Sequence, residues 1–254
     1  MITSMSNAQV KELVQLMEKG RERNRTKTFI CEGLKVYLEA KKAGLVVKVF
    51  VSETFREHNI DFEPDALVLT DEVFDSVSKT VTPQGILAVV NMPEYDLDTV
   101  ILKKNLKIIA LEDLRDPGNI GTVIRTAEGA GMDLVLMSKG CVDIFNPKVV
   151  RSTMGTIFRV PFVYVQNFAD SIRRLKERGV KIYAAYLDGS VDYKEISSEN
   201  GKYSQAVMIG NEANGLTEET AQIADLKVRI PMDGKVESLN AAVAAAILMY
   251  EMKR

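Results

Sequence analysis

The sequence predicts an α/β protein in two parts: a small α/β domain over residues 1–93, and a larger one over 106–254 on a mostly parallel sheet, joined by a linker over 94–105. Three observations lead there. Short β-branched runs bounded by turn or charged residues alternate with segments of helical period. The alternation breaks once, at MPEYDLDTVILKKN (residues 92–105), where a proline and scattered charges leave no clean period. Beyond the break the strand and helix candidates alternate as in a parallel sheet covered on both faces.

In order, residues 7–19 form the first helix, with Val10, Leu13, Val14 and Met17 at helical spacing. A strand at 28–31 and a helix at 32–43 follow, then strands at 47–51 and 66–69, a helix at 71–79 and a strand at 86–90. The second part offers strands at 106–111, 133–137, 162–165, 180–187, 206–209 and 226–230, with helices at 120–130, 169–178, 218–223 and 239–252. In the last helix Leu239, Ala242, Val243, Ala246, Ile247 and Tyr250 share one face, which is expected to pack inward.

Composition narrows the chemistry. At 46% hydrophobic and 27% charged, the 254 residues are globular material rather than disordered chain or coiled coil. No run of about 18 apolar residues spans a bilayer, and MITSMSNAQVKEL lacks the apolar core of a signal peptide, so the expected location is the cytoplasm, with no membrane partner. Cys31 and Cys141 lack C-x-x-C spacing, which indicates neither a disulfide framework nor a metal site. A nucleophile–His–acid arrangement has only His58 to draw on.

Charge is balanced overall, 33 Lys+Arg against 35 Asp+Glu, yet Lys19, Arg21, Arg23, Arg25 and Lys27 fall within nine residues. The run reads either as a phosphate-binding edge for nucleic acid or as a solvated connection between the first helix and its strand. A sparser group, Lys148, Arg151 and Arg159, surrounds Met154 and Gly155, open to ion pairing or to substrate phosphate.

Three segments concentrate glycine, proline and small polar residues at strand-to-helix junctions, where open α/β sheets place their ligands. In DPGNIGTVIRTAEGAG, following the strand at 106–111, Asn119 is a good N-cap and Arg125 lies about two turns into the helix, where pairing with Glu128 is an alternative role. In IGNEANGL, glycines at each end let the backbone approach a ligand, with Glu212 projecting between them. In IPMDGKVESLNAAVAAAILMYE, Ser238 is a candidate cap, and Asn240 is a polar side chain at the start of a very apolar helix, where burial demands a partner. No G-x-x-x-x-G-K-[ST] is present, and Gly129-Ala130-Gly131 has Leu134 where a dinucleotide fingerprint needs its third glycine.

Taken together in this order, the three segments resemble the motifs of the TrmH/SpoU family of SPOUT RNA 2'-O-ribose methyltransferases, over residues 106–254. The first part, with SNAQVKELVQL, the basic run, FICEG and TPQGILAVV, is similar to the small RNA-binding domain that many members carry. The resemblance implies S-adenosylmethionine as methyl donor, an RNA substrate (rRNA by family habit, rather than tRNA), a homodimer and a C-terminal trefoil knot. It implies catalytic roles for Asn119, Arg125, Glu212, Ser238 and Asn240. Donor contacts would come from Leu187 to Gly189, Gly210, Ile230, Met232 and Leu239, and RNA contacts from Arg21, Arg23, Arg25, Lys27, Lys148 and Arg151. Ala241 stands where many members have valine. Two rival readings remain: an RNA-binding protein of this fold without activity, and an α/β enzyme of small-molecule metabolism.

Overall fold

A computed structural model describes residues 1–196 and 203–253; residues 197–202 and Arg254 of the expected second domain lie outside the described residues. In chain order the elements begin α1 (Ala8–Glu18), α2 (Gly20–Thr26), β1 (Thr28–Glu32), α3 (Leu34–Lys42), β2 (Val46–Ser52), α4 (Glu53–His58), β3 (Leu67–Leu69), α5 (Asp71–Val77) and β4 (Ile86–Asn91). They continue with α6 (Leu97–Val100), β5 (Lys107–Leu111), α7 (Pro117–Ala130), β6 (Leu134–Ser138), α8 (Pro147–Thr153), β7 (Phe162–Val165) and α9 (Phe168–Glu177). The last are β8 (Lys181–Ala185), β9 (Val191–Asp192), β10 (Gln205–Ile209), α10 (Glu218–Ile223), β11 (Leu226–Arg229) and α11 (Ala241–Glu251). Among the described residues no helix is long and apolar enough to cross a membrane.

The chain forms two compact units: Met1–Glu94 with Asp143–Phe158, and the remainder from Tyr95. They differ from the expected linear division in two places. Residues 143–158, which carry α8, pack with the first unit: Phe29 of β1 lies 4.8 Å from Phe145 and 6.0 Å from Phe158, ring centre to ring centre. The expected linker is not a free connection either, because α6 forms in it and Leu97, Val100 and Ile101 pack on the core of the second unit.

The first unit has a four-stranded sheet in the order β1-β4-β2-β3, antiparallel except for β2 with β3. Val10, Leu13, Leu16 and Met17 of α1 close over it against Ile30, Phe50, Leu87 and Val89. The connection between α1 and β1 that carries the basic run is a short helix, α2, with Lys19 and Lys27 as its caps.

The second unit has a seven-stranded sheet, β7-β6-β5-β10-β8-β11-β9, in which every pairing is parallel. β6 and β10 are buried along their whole length, as their continuous apolar runs foretell, whereas the outer strands β7, β11 and β9 are partly exposed. From β5 the chain runs outward to β6 and β7, whereas β10 and β8 lie on the other side. The loops leaving β5 and β10 therefore emerge side by side where the strand order reverses, the place where open α/β sheets bind ligands.

The expected inward face of α11 is corrected. Ala242, Ala245, Leu248 and Met249 are buried, while Val243 and Tyr250 are 47% and 51% exposed. A helix apolar on all sides carries almost no amphipathic signal, so periodicity does not choose its face.

Candidate active site

Asp116, not Asn119, caps α7. Its side chain accepts from the Asn119 N–H at 2.9 Å, and Pro117 takes the first helical position, where its missing N–H costs nothing. The helix thus begins earlier than expected, and Asn119 lies in its first turn, 9% exposed. Likewise Asn240, not Ser238, caps α11, accepting from the N–H groups of Ala242 and Val243.

Asn119 is thereby free of capping, and Asn240, whose oxygen caps α11, keeps its amide nitrogen for contact with it. Asn240 Nδ2 donates to Asn119 Oδ1 at 2.9 Å, and Asn119 Nδ2 donates to Glu212 Oε1 at 3.0 Å. The backbone N–H groups of Asp116 and Arg115 also donate to the Glu212 carboxylate, at 3.0 and 3.3 Å. Burial pushes that carboxyl upward, but the Asn119 amide and the surrounding N–H groups outweigh it and hold it below the usual carboxylate range. Four of the five expected catalytic positions thus fall on three junctions of one unit, three of them in one hydrogen-bonded chain.

Arg125 is exposed on α7. Glu128 pairs with Arg159 at 3.0 Å instead, and Arg125 makes no hydrogen bond or ion pair among the described residues. Ser238 is also exposed and lines a cleft of about 480 Å³.

The cleft is walled by the carboxyl ends of β8, β10 and β11 and by the segment entering α11. Of the residues expected to contact the donor, Leu187, Gly210, Ile230, Met232 and Leu239 line it and Gly189 does not; Glu212 and Ser238 line it as well, whereas Asn119, Arg125 and Asn240 do not. Asp188 lines it too, within the expected stretch from Leu187 to Gly189; Asn211, Asn214 and Glu237 of the glycine-rich segments and Arg229 at the end of β11 are polar lining residues that the sequence did not mark. Gly210 is obligatory, since a Cβ there would stand 2.0 Å from the Gly215 carbonyl carbon. The loop closes tightly through Asn211 N–H to Gly215 O at 3.0 Å and the reciprocal bond at 2.9 Å.

The expected RNA-binding cations all fall in the first unit, and they divide. Arg21, Arg25, Lys27 and Lys148 are exposed. Arg23 is corrected: it is 4% exposed, pairs with Asp143 at 2.6 Å and donates to the carbonyls of Leu16 and Met17. Arg151, 30% exposed in its side chain, stands 3.6 Å from the buried Glu32 carboxylate. Burial pushes both cysteine thiols up, which suppresses thiolate chemistry at Cys31 and Cys141. Among the described residues no group of three His, Cys, Asp or Glu side chains is placed to hold a metal ion.

Known proteins resemble this chain along nearly its whole length. The SpoU rRNA Methylase family profile matches residues 107–250, and the MRM3-like substrate binding domain profile matches residues 7–88. The 23S rRNA (guanosine(2553)-2'-O)-methyltransferase RlmP of Bacillus subtilis is 37% identical, over 99% of this chain and 98% of its own length. An AdoMet-bound rRNA methyltransferase from Sinorhizobium meliloti superposes with a TM-score of 0.85 at 30% identity, over 99% of this chain and 96% of that one. The SpoU methyltransferase AviRb of Streptomyces viridochromogenes gives 0.82 at 26% identity, over 97% and 96%.

Proposed function

Because the chain belongs to the SpoU rRNA methylase family, we propose that it is an S-adenosylmethionine-dependent methyltransferase acting on a ribose 2'-hydroxyl of structured RNA, an rRNA. The observation that carries this reading is Glu212, which lines the cleft and at the same time binds Asn119, and through it Asn240.

The cleft suits the donor. Its volume falls in the usual range for small-ligand sites. Ile230, Leu239 and Leu248 offer apolar surface for a flat base, and the carboxylates of Asp188, Glu212 and Glu237 suit a ligand bearing a sulfonium and an ammonium. When bound, S-adenosylmethionine supplies an electrophilic methyl group. Transfer of that methyl to a ribose O2' would need the two partners aligned and the hydroxyl proton removed, and these are the tasks left to the protein's own residues.

Arg125 serves that second task. A guanidinium with a pKa above about 12 is a poor base, so Arg125 acts as a cation stabilising the developing alkoxide while the proton leaves to solvent. Asn119, Glu212 and Asn240 hold the loops, and Ser238 faces the ligand.

The first unit, Met1–Glu94 with Asp143–Phe158, is read as the RNA-binding part. Arg21, Arg25, Lys27 and Lys148 are its phosphate contacts, and an rRNA substrate puts the reaction in the cytoplasm. The reading includes a homodimer, supported by the half-exposed Val243 and Tyr250 on an otherwise apolar α11.

The test is to incubate the protein with labelled donor and total RNA and to map the ribose methylations that require Arg125. Label in rRNA is the expected result. Label confined to tRNA redirects the substrate, and a protein that neither binds donor nor labels RNA removes the reading.

A further inference from the structure

Glu112 follows β5 directly and is 8% exposed, yet no cation pairs with it among the described residues. A buried carboxylate is costly unless donors surround it, and an apolar side chain would fill the position at lower cost. Its donors all come from one place. The carboxylate accepts from the Thr217 N–H at 2.8 Å, the Thr217 hydroxyl at 2.9 Å and the Thr220 hydroxyl at 2.7 Å. Its own backbone N–H donates to the Ile209 carbonyl at 2.9 Å.

Ile209 and Thr217 are the two ends of the loop over residues 210–216. One residue therefore holds both ends, and every residue of that loop, Glu212 included, lines the cleft. Thr217 is also the N-cap of α10, so the same contact fixes where the loop stops and the helix starts. Glu112 itself does not line the cleft.

We propose that Glu112 is a positioning residue for the methyl donor: it clamps the 210–216 loop at both ends and so sets the shape of the cleft wall and the place of Glu212. This rests on the reading of the cleft as the S-adenosylmethionine site. Backbone pinning survives substitution, so the variants isolate the carboxylate half of the clamp.

The experiment compares Glu112→Ala, Glu112→Gln and Thr220→Val with wild type. It reads S-adenosylmethionine affinity by calorimetry, kcat and KM for RNA, and amide exchange over residues 210–216. Loss of charge-assisted hydrogen bonds is expected to weaken donor binding about tenfold or more in Glu112→Ala, with a fall in kcat and little change in KM for RNA. Glu112→Gln, which keeps one acceptor oxygen, and Thr220→Val, which removes one donor, are expected to fall between. All three are expected to exchange faster in the loop.

Ile172→Ala, in the buried core of the same unit, is the control for general destabilisation. If it weakens donor binding as much as Glu112→Ala at an equal drop in Tm, the clamp is overturned. Unchanged affinity and unchanged loop exchange in Glu112→Gln and Thr220→Val overturn it as well, even if Glu112→Ala fails to fold. If wild type takes no donor, the functional reading fails, and loop exchange alone then decides for or against the clamp.

Discussion

Asn240 donates its side-chain amide to Oδ1 of Asn119 at 2.9 Å, joining the N-cap of α11 to the first turn of α7 across 121 positions of sequence. One side chain thus performs two tasks: its oxygen caps a helix and its nitrogen orients the residue that holds Glu212.

The two tasks separate by substitution. Asn240→Asp keeps the capping oxygen and loses the donor, so Tm is expected within a few degrees of wild type while methyl transfer falls. Asn240→Ala loses both and is expected to cost about 1 kcal/mol more, the usual worth of an N-cap. Denaturant titration beside single-turnover methylation distinguishes them, and equal stability of the two variants would contradict the capping role.

Arg125→Ala removes an exposed side chain without an intramolecular partner among the described residues. Its stability is expected to change by less than about 0.5 kcal/mol. Donor affinity is expected to persist while kcat drops by about 100-fold or more, the scale for losing an oxyanion-stabilising group. Near-normal turnover would take Arg125 out of the mechanism.

Gly210→Ala forces a methyl group against the Gly215 backbone at 2.0 Å, where no flexible side chain can yield. Loss of donor binding with a marked fall in Tm is expected, measured by calorimetry and thermal melting.

The pH dependence follows from Glu212. Its carboxyl is held below the ordinary 4.5 in the folded protein, so the contribution of its charge to stability is complete above that value and is lost as pH falls through the lower folded value. The Tm difference between wild type and Glu212→Gln is expected to stay flat from pH 6 upward, by about a unit's margin above the ordinary pKa, and to shrink below about pH 4.5. A difference that grows in acid would reverse the assigned sign.

The cations of the first unit are expected to divide in experiment as they do in structure. Arg25→Gln and Lys27→Gln should weaken RNA binding and lower the salt slope by about one for each phosphate no longer neutralised, with Tm unchanged. Arg23→Gln should instead cost about 2–3 kcal/mol of stability, because Asp143 and two carbonyls lose their donor. Filter binding at several salt concentrations, paired with melting curves, reads both.

β6 and β10 were legible because burial along their whole length demands continuous apolar runs, and β7 (Phe162–Val165) and α10 (Glu218–Ile223) match the expected limits, whereas the two-residue β9 is too short and too exposed to leave a pattern. The three candidate site segments were legible because close backbone approach and tight turns require glycine, proline and small polar residues. Less legible were α2 and α8, short helices with little amphipathic signal, and the ends of α7 and α11, where several residues in a row can cap.

The sequence by itself determined the α/β class, the alternation of elements, the family resemblance and the residue types of the site, since these depend on local period and local composition. Only the tertiary structure decided which partners those residues take. Arg23 is an internal ion pair rather than a phosphate contact, 143–158 belongs with the first unit, α11 buries a face other than the expected one, and Glu112 grips the 210–216 loop from another strand. The physical reason is that a charge or an amide must find its partner in space once water is excluded, and such partners lie about a hundred positions away: 120 from Arg23 to Asp143, 105 from Glu112 to Thr217, 121 from Asn119 to Asn240.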